Sequence, residues 1–508
     1  MNVVDTLTNE VAQLVAGNET YTSYQAQWKY LLESYLGGDE YRRAGHLTRY
    51  QLETDAEYLA RLRATPLDNH VQSVVSVFNS FLFRKEPSRD FKELEDYPAI
   101  KDFLKDADLD GRSLDAFMKD VATWASVFGH CWIVVAKPNV GAVTAADEMA
   151  LGVRPYVGLL TPLVVLDWQW RRAPSGRYEL EYFKYLEDAN GDVRTVKEWS
   201  RELIKTTVVN LKDGVVLEEM IEVNGLGKIP VVCAYNGKST VRGIGVSDVA
   251  DIADQQRFIY NATSEIFQSI QMDSHPSLVT TPDTNVGTGS GALIRMPENL
   301  DPGLKPYVLD FGGADTNNIL NAIKHSIECI DKMANTGAIR ATESRTMSGV
   351  AMETEFQLLN ARLSEKADNL ELAEEQMWRL WYEYMGFQWN GEIDYPGSFN
   401  IRDTSKEIEQ LQIAANTNPV DPRVKAGIDM KVLDWLELDE DELTAMQNPT
   451  LIDLEAVPEE EERNAYALGF YVGRAFIDPV SGIVTIASSP EEELQMAKDG
   501  WILYEGEE

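Results

Sequence analysis

The feature that most constrains this chain is an uninterrupted amphipathic stretch. From about residue 350 to 385, apolar side chains recur at Met352, Phe356, Leu359, Leu363, Ala367, Leu370, Ala373, Met377, Trp381 and Tyr384. Every step is three or four residues, so all of them fall on one face of an α-helix. No Gly or Pro intervenes before Gly386, and at 1.5 Å per residue the pattern predicts a helix roughly 50 Å long. That is far above the length of an ordinary globular helix. A polar, small-residue stretch containing Arg340 and Arg345 precedes it, bracketed by Gly337 and Gly349. A long helix fed by such a loop suits a large assembly, and a long core helix in an ordinary domain satisfies the same pattern.

The 508 residues allow two or three domains with a sizeable core. With 46 Lys and Arg against 83 Asp and Glu, the formal charge is −37. That argues against a sequence-reading nucleic-acid binder, which shows a basic face, and against docking on anionic membranes. It permits a surface past which DNA slides without sticking. Cys131, Cys233 and Cys329 show no CxxC spacing, which fits a reducing compartment and neither a disulfide framework nor a cysteine zinc site. The N-terminus lacks the pattern of a secretory signal, and no stretch approaches the length of a membrane span.

In chain order, residues 1–36 read as two short helices around Gly17-Asn18, ended by Gly37-Gly38, followed by a polar loop over 41–49. Thr54 or Asp55 caps a helix, and another runs from Val71 to Leu82. Residues 106–111 resemble the start of a calcium loop, but its twelfth position is Phe117 where a bidentate Glu is needed. The stretch reads instead as a turn, with Ser113 capping a helix that Gly129 ends. His130 opens a buried strand and reads as structural. From 155 to 235 the period changes to two, predicting an antiparallel meander over 156–160, 164–168, 178–185, 195–199, 204–210 and 215–223, with 229–235 as its last strand. Its aromatics, among them Trp168, Trp170, Tyr178, Tyr182 and Trp199, read as sheet packing rather than base stacking.

Ser247 then caps a helix striped at Val249, Ile252, Gln256, Ile259, Thr263, Ile266 and Ile270, a spacing that predicts lengthwise packing on another helix. Residues 277–311 hold short strands around a Gly-rich hairpin tip at Gly287, Gly289 and Gly291, with no Lys-Ser or Lys-Thr to make it a phosphate cradle. A helix striped with Ile319, Ile323, Ile327 and Ile330 follows. Beyond Gly386 come a returning strand near 387–401, short helices over 405–416 and 422–435 and from 439, an acidic linker at 458–463, and a small strand pair with a final helix. No catalytic constellation emerges. The five histidines are dispersed, and GxSxG, HExxH and Walker patterns are absent, so neither cofactor nor metal is expected.

This order of elements resembles the portal proteins of tailed bacteriophages, in particular a portal-like branch. The resemblance runs over about residues 40–386 and is carried by Tyr41-Arg-Arg-Ala-Gly-His-Leu-Thr-Arg49, Asp108-Leu-Asp-Gly-Arg-Ser-Leu-Asp-Ala-Phe117, Gly129-His-Cys-Trp-Ile-Val-Val135, Arg154-Pro-Tyr-Val157, Gly227-Lys-Ile-Pro-Val231 and Ser348-Gly-Val-Ala-Met-Glu353. It implies an α+β portal fold and a non-enzymatic ring, usually of twelve subunits, at one capsid vertex of the virion. Residues 1–246 would form the wing, 247–274 and 314–336 the stem helices, and 275–313 the clip. A tunnel loop over 337–350, a long wing helix and returning strand over 351–402 and a helical crown over 403–457 would follow. The acidic 458–508 lies outside the pattern. Implied partners are further copies of the chain, the terminase large subunit, a head–tail adaptor, the major capsid or scaffold protein and, transiently, double-stranded DNA, with no membrane. Clip docking would fall on Gly287, Gly289, Gly291 and Arg295. Channel contacts would fall on Arg340, Thr342, Ser344, Arg345 and Ser348, where the arginines either touch phosphates or bridge subunits through Glu343 or Glu353. The alternatives are a shell- or scaffold-type capsid protein and a carboxylate-metal nucleic-acid enzyme.

Overall fold

The structure, a computed structural model, describes residues 11–138, 151–274, 314–340 and 349–399, with short segments within 278–308 and 475–503. The chain divides into two compact units, Met1–Ile401 and Arg402–Glu508. The class is α+β.

Among the described residues, 11–14 are helical, and then follow α1 (Glu19–Leu36), α2 (Gly38–Arg43), α3 (Asp55–Ala64), α4 (His70–Leu82), α5 (Pro98–Lys105) and α6 (Leu114–Phe128). Their starts are chemically marked. The Asn18 side chain accepts from the Tyr21 N–H, Thr54 and Glu57 form a capping box, and Ser113 accepts from the Ala116 N–H. The acidic turn before α6 is closed by its own groups. Asp106 and Asp108 accept backbone N–H bonds, and Arg112 pairs with Asp108 at 2.9 Å. The predicted polar loop over 41–49 begins instead inside α2. Six residues are too few to show a helical period, and Tyr41 is fully buried there against Tyr260.

Two antiparallel sheets follow. One has the order β3 (Tyr156–Leu160), β2 (His130–Ala136), β9 (Val231–Tyr235), and the other is a meander of β4 (Val165–Arg172), β5 (Tyr178–Asn190), β6 (Val193–Ser200), β7 (Leu203–Asn210) and β8 (Val215–Val223). This corrects the single meander expected from the sequence, since 156–160 and 229–235 flank β2 instead. The reason lies in burial. β2 is covered on both faces, so its partners read as apolar runs rather than clean alternation. α6 lies on one face of β2, where the Cys131 thiol meets the Val121 carbonyl, and on the other Trp132 meets Phe183 and Trp168 of the larger sheet. At the end of α6, Gly129 adopts φ 90° and its carbonyl passes so close to Gly245 that a Cβ there would lie 1.8 Å from it. Neither position accepts a side chain.

Next come α7 (Ala250–Ser274), the paired strands β10 (Leu278–Val279) with β13 (Tyr307–Val308) and β11 (Asn285–Val286) with β12 (Ile294–Arg295), then α8 (Ala314–Ala334) and a single turn, α9 (Gly337–Arg340). The loop predicted from 337 thus starts as helix. The long helix α10 spans Gly349–Tyr384, 36 residues, about 54 Å. Its Leu359, Leu363, Ala367, Leu370, Ala373, Met377 and Trp381 are all buried, as the stripe predicts. The returning stretch contributes β14 (Glu392–Asp394), paired with β1 (Ser88–Asp90). In the second unit, β15 (Ala475–Ile477) pairs antiparallel with β16 (Val484–Ile486), the expected strand pair, and also with a third strand that was not expected, β17 (Ile502–Leu503). The helices expected over 403–457 and the linker at 458–463 lie outside the described residues.

Candidate functional site: a helix pair, its β unit and the junction at its base

α7 and α8 run antiparallel, and the β unit joins their far ends. Pairing of Leu278 with Val308 and of Asn285 with Arg295 nests one strand pair inside the other. Val286 pairs antiparallel with Ile294. Arg295 is therefore on β12, whereas Gly287, Gly289 and Gly291 lie outside the described residues.

The base of the pair is fixed by a buried polar junction. Asp248, just before α7, accepts from Lys366 Nζ at 2.5 Å and from Arg362 Nη2 at 2.9 Å. Lys366 also donates to Ser126 Oγ at 2.8 Å and to Asn236. Arg362 uses its second nitrogen on the Met333 carbonyl at the end of α8, at 2.8 Å. One turn of α10 thus holds the start of α7 and the finish of α8 together. Burial alone would raise the Asp248 carboxyl, but the ammonium and guanidinium beside it hold it below the usual range. These residues went unread in the sequence although a signal was present. Lys366 follows Leu363 by three and precedes Leu370 by four, so a charge sits inside the apolar stripe and must have a partner. Glu374, four after Leu370, is the same case. It is fully buried and bound by Arg89 Nε at 2.6 Å and the Tyr395 hydroxyl at 2.5 Å.

A second brace runs along the flank of α7. Arg61 bonds Glu53, the Thr48 carbonyl and Ser264 Oγ and stacks on Tyr50, while the Thr48 N–H donates to Asn261 and the Tyr50 hydroxyl to Glu265. Gln256, the polar member of the α7 stripe, accepts from the Val71 N–H and donates to the Ser34 carbonyl. α7 therefore packs along α8, as the stripe predicts, and also against α1, α3 and α4 of the chain's own body. Of the stripe's later members Thr263 is half-buried and Ile266 buried, and only the last, Ile270, is bare at 50% exposed, next to Phe267 at 45%. Phe258 is exposed as well, about 180° from Phe267 at 3.6 residues per turn. On α8, Leu320 and Met333 are exposed while Ile330 and Ala334 are fully buried.

Of the expected channel residues, Arg340 ends α9, and Thr342, Ser344, Arg345 and Ser348 lie outside the described residues. His130 is buried among Trp28, Trp132 and Tyr235, and the Gly245 N–H donates to its Nδ1. Burial pushes its pKa down to about 3. The cysteines are free, and burial raises the thiols of Cys131 and Cys233. Among the described residues, no three His, Cys, Asp or Glu gather as metal ligands, and no helix is long and apolar enough to cross a membrane.

No family model matches the chain, and no curated protein matches it. Solved structures do. The chain is similar to a chain in the virion of a native gene transfer agent particle, with TM-score 0.40 and 10% identity over 77% of this chain and 97% of that one. It is similar to a chain in the neck of the empty particle computed with C6 symmetry (TM-score 0.43, 10% identity, 78% and 99% covered). It is also similar to one in the neck of the native particle computed with C12 symmetry (TM-score 0.39, 10% identity, 71% and 89% covered).

Proposed function

We propose that this chain is the subunit of a phage portal. In this reading it is a non-enzymatic ring at one capsid vertex through which double-stranded DNA enters the head and later leaves. The observation that carries the reading is the bare end of the α7 stripe. A helix face buried in its own body from Val249 to Ile266 goes uncovered at Ile270, Phe267 beside it is exposed, and Phe258 is exposed on the side opposite Phe267. A helix pair with apolar surface on more than one side needs lengthwise neighbours, and identical neighbours around an axis close a ring. The β unit at the far end of the pair adds little to any core and suits docking to a terminase or a head–tail adaptor. The charge of −37 suits a channel that guides DNA without holding it. Arg340 and Arg345 are then the few cationic contacts.

Negative-stain images of the purified protein should show rings with a central hole, and closed shells would favour a scaffold-type protein. Incubation with supercoiled plasmid and magnesium should leave the DNA intact, and nicking would favour a carboxylate-metal nuclease.

A further inference from the structure

Two patches on the first unit match each other and lie at opposite edges of the five-stranded sheet. The sheet order from β4 to β8 separates them by roughly 19 Å at the usual strand spacing. The first is β8, an edge strand in which eight of nine residues are exposed, Val223 by 79%. It has no Pro and no Lys, the usual devices that blunt an edge. Alternation puts Glu218, Met220 and Glu222 on one face and Glu219, Ile221 and Val223 on the other. Glu219 pairs with Lys205, but among the described residues Glu218 and Glu222 have no ion-pair partner.

The second patch is a groove between the β4–β5 end of the sheet, β9 and α10. Five cations line it, Arg177, Lys228, Lys238, Arg242 and Arg379, against two carboxylates, Glu179 and Glu383. Five minus two leaves a local excess of three positive charges on a strongly acidic chain. Lys228 is taken by Glu383, Arg379 by Glu375 and Glu179 by Arg201, so the excess rests on Arg177, Lys238 and Arg242, unpaired among the described residues. Arg242 is held in place over the Tyr178 ring at 3.8 Å. Leu372, 53% exposed, gives the groove an apolar wall.

We propose that neighbouring copies of this chain join head to tail, with the acidic, apolar strand β8 of one copy seated in the cationic groove of the next. The inference rests on the ring reading above and names its contact. Different patches on one subunit make a heterologous contact, the kind that closes rings, and opposite charge fixes which patch meets which.

The test uses two full-length variants, Glu218→Lys/Glu222→Lys and Arg177→Glu/Lys238→Glu/Arg242→Glu. Sedimentation velocity should show assembly of each falling at least tenfold, with circular dichroism unchanged. Mixed in equal amounts, they should assemble again, because each β8 strand then meets a groove of opposite sign. If either variant misfolds, Glu222→Lys and Arg177→Glu are read the same way. Wild-type rings with folded variants that assemble normally, or a mixture that stays dispersed, overturn this contact and leave the ring standing. Wild-type protein that never forms rings overturns both.

Discussion

Two buried groups set the behaviour expected at the residue scale. The His130 imidazole in the folded chain resists protonation until about pH 3, whereas in the unfolded chain it takes a proton near 6.5. Between those values the unfolded state binds more protons. Its contribution to stability is therefore complete above about pH 6.5 and lost as pH falls toward 3, at up to about 1.4 kcal/mol per pH unit. Asp248, held low in the folded state, acts in the same direction at lower pH. The midpoint of the first urea transition should fall on acidification from pH 7 to 4.5, and His130→Gln should flatten that dependence by close to one proton. An unchanged slope would show that His130 does not titrate as argued. Lys366→Met removes one of two cations from a buried carboxylate and should destabilise by about 3–5 kcal/mol. The same urea transition measures it, and a loss below about 1 kcal/mol would mean that Arg362 alone satisfies Asp248.

At the element scale, the chain was most legible where a period ran long. The α10 stripe, the capped starts of α3 and α6 and the strands of the meander all follow from spacing and cap chemistry. The partition of the strands was not legible. β2 and β9 are covered on both faces, and a continuous apolar run does not say which strands flank it. The fate of the α7 stripe was also hidden, because spacing marks an apolar face without saying how far the body covers it. The junction at Asp248 joins residues more than a hundred positions apart, and only the charge inside the α10 stripe hinted at it. Two predictions belong at this scale. Replacing residues 287–291 with a rigid sequence should leave assembly intact and abolish pull-down of terminase or adaptor, whereas misfolding would place this β unit in the core. Arg340→Ala with Arg345→Ala should leave the ring intact and weaken DNA retention, the more so at low salt. Loss of the ring itself would assign these arginines to subunit contacts, and a double variant normal in both would make 341–348 a passive connector.

On the scale of the whole molecule, the account turns on whether surface left bare in one chain is covered by identical neighbours. Phe267, Ile270 and β8 are the surfaces that must be covered, and a closed ring covers each once per subunit with no free end. Native mass spectrometry of the purified, full-length protein tests this most directly. The account predicts one dominant species whose mass is a fixed whole-number multiple of 57.1 kDa, stable on dilution. A 57.1 kDa monomer at working concentration, or an open-ended ladder of masses that shifts with concentration, would contradict it.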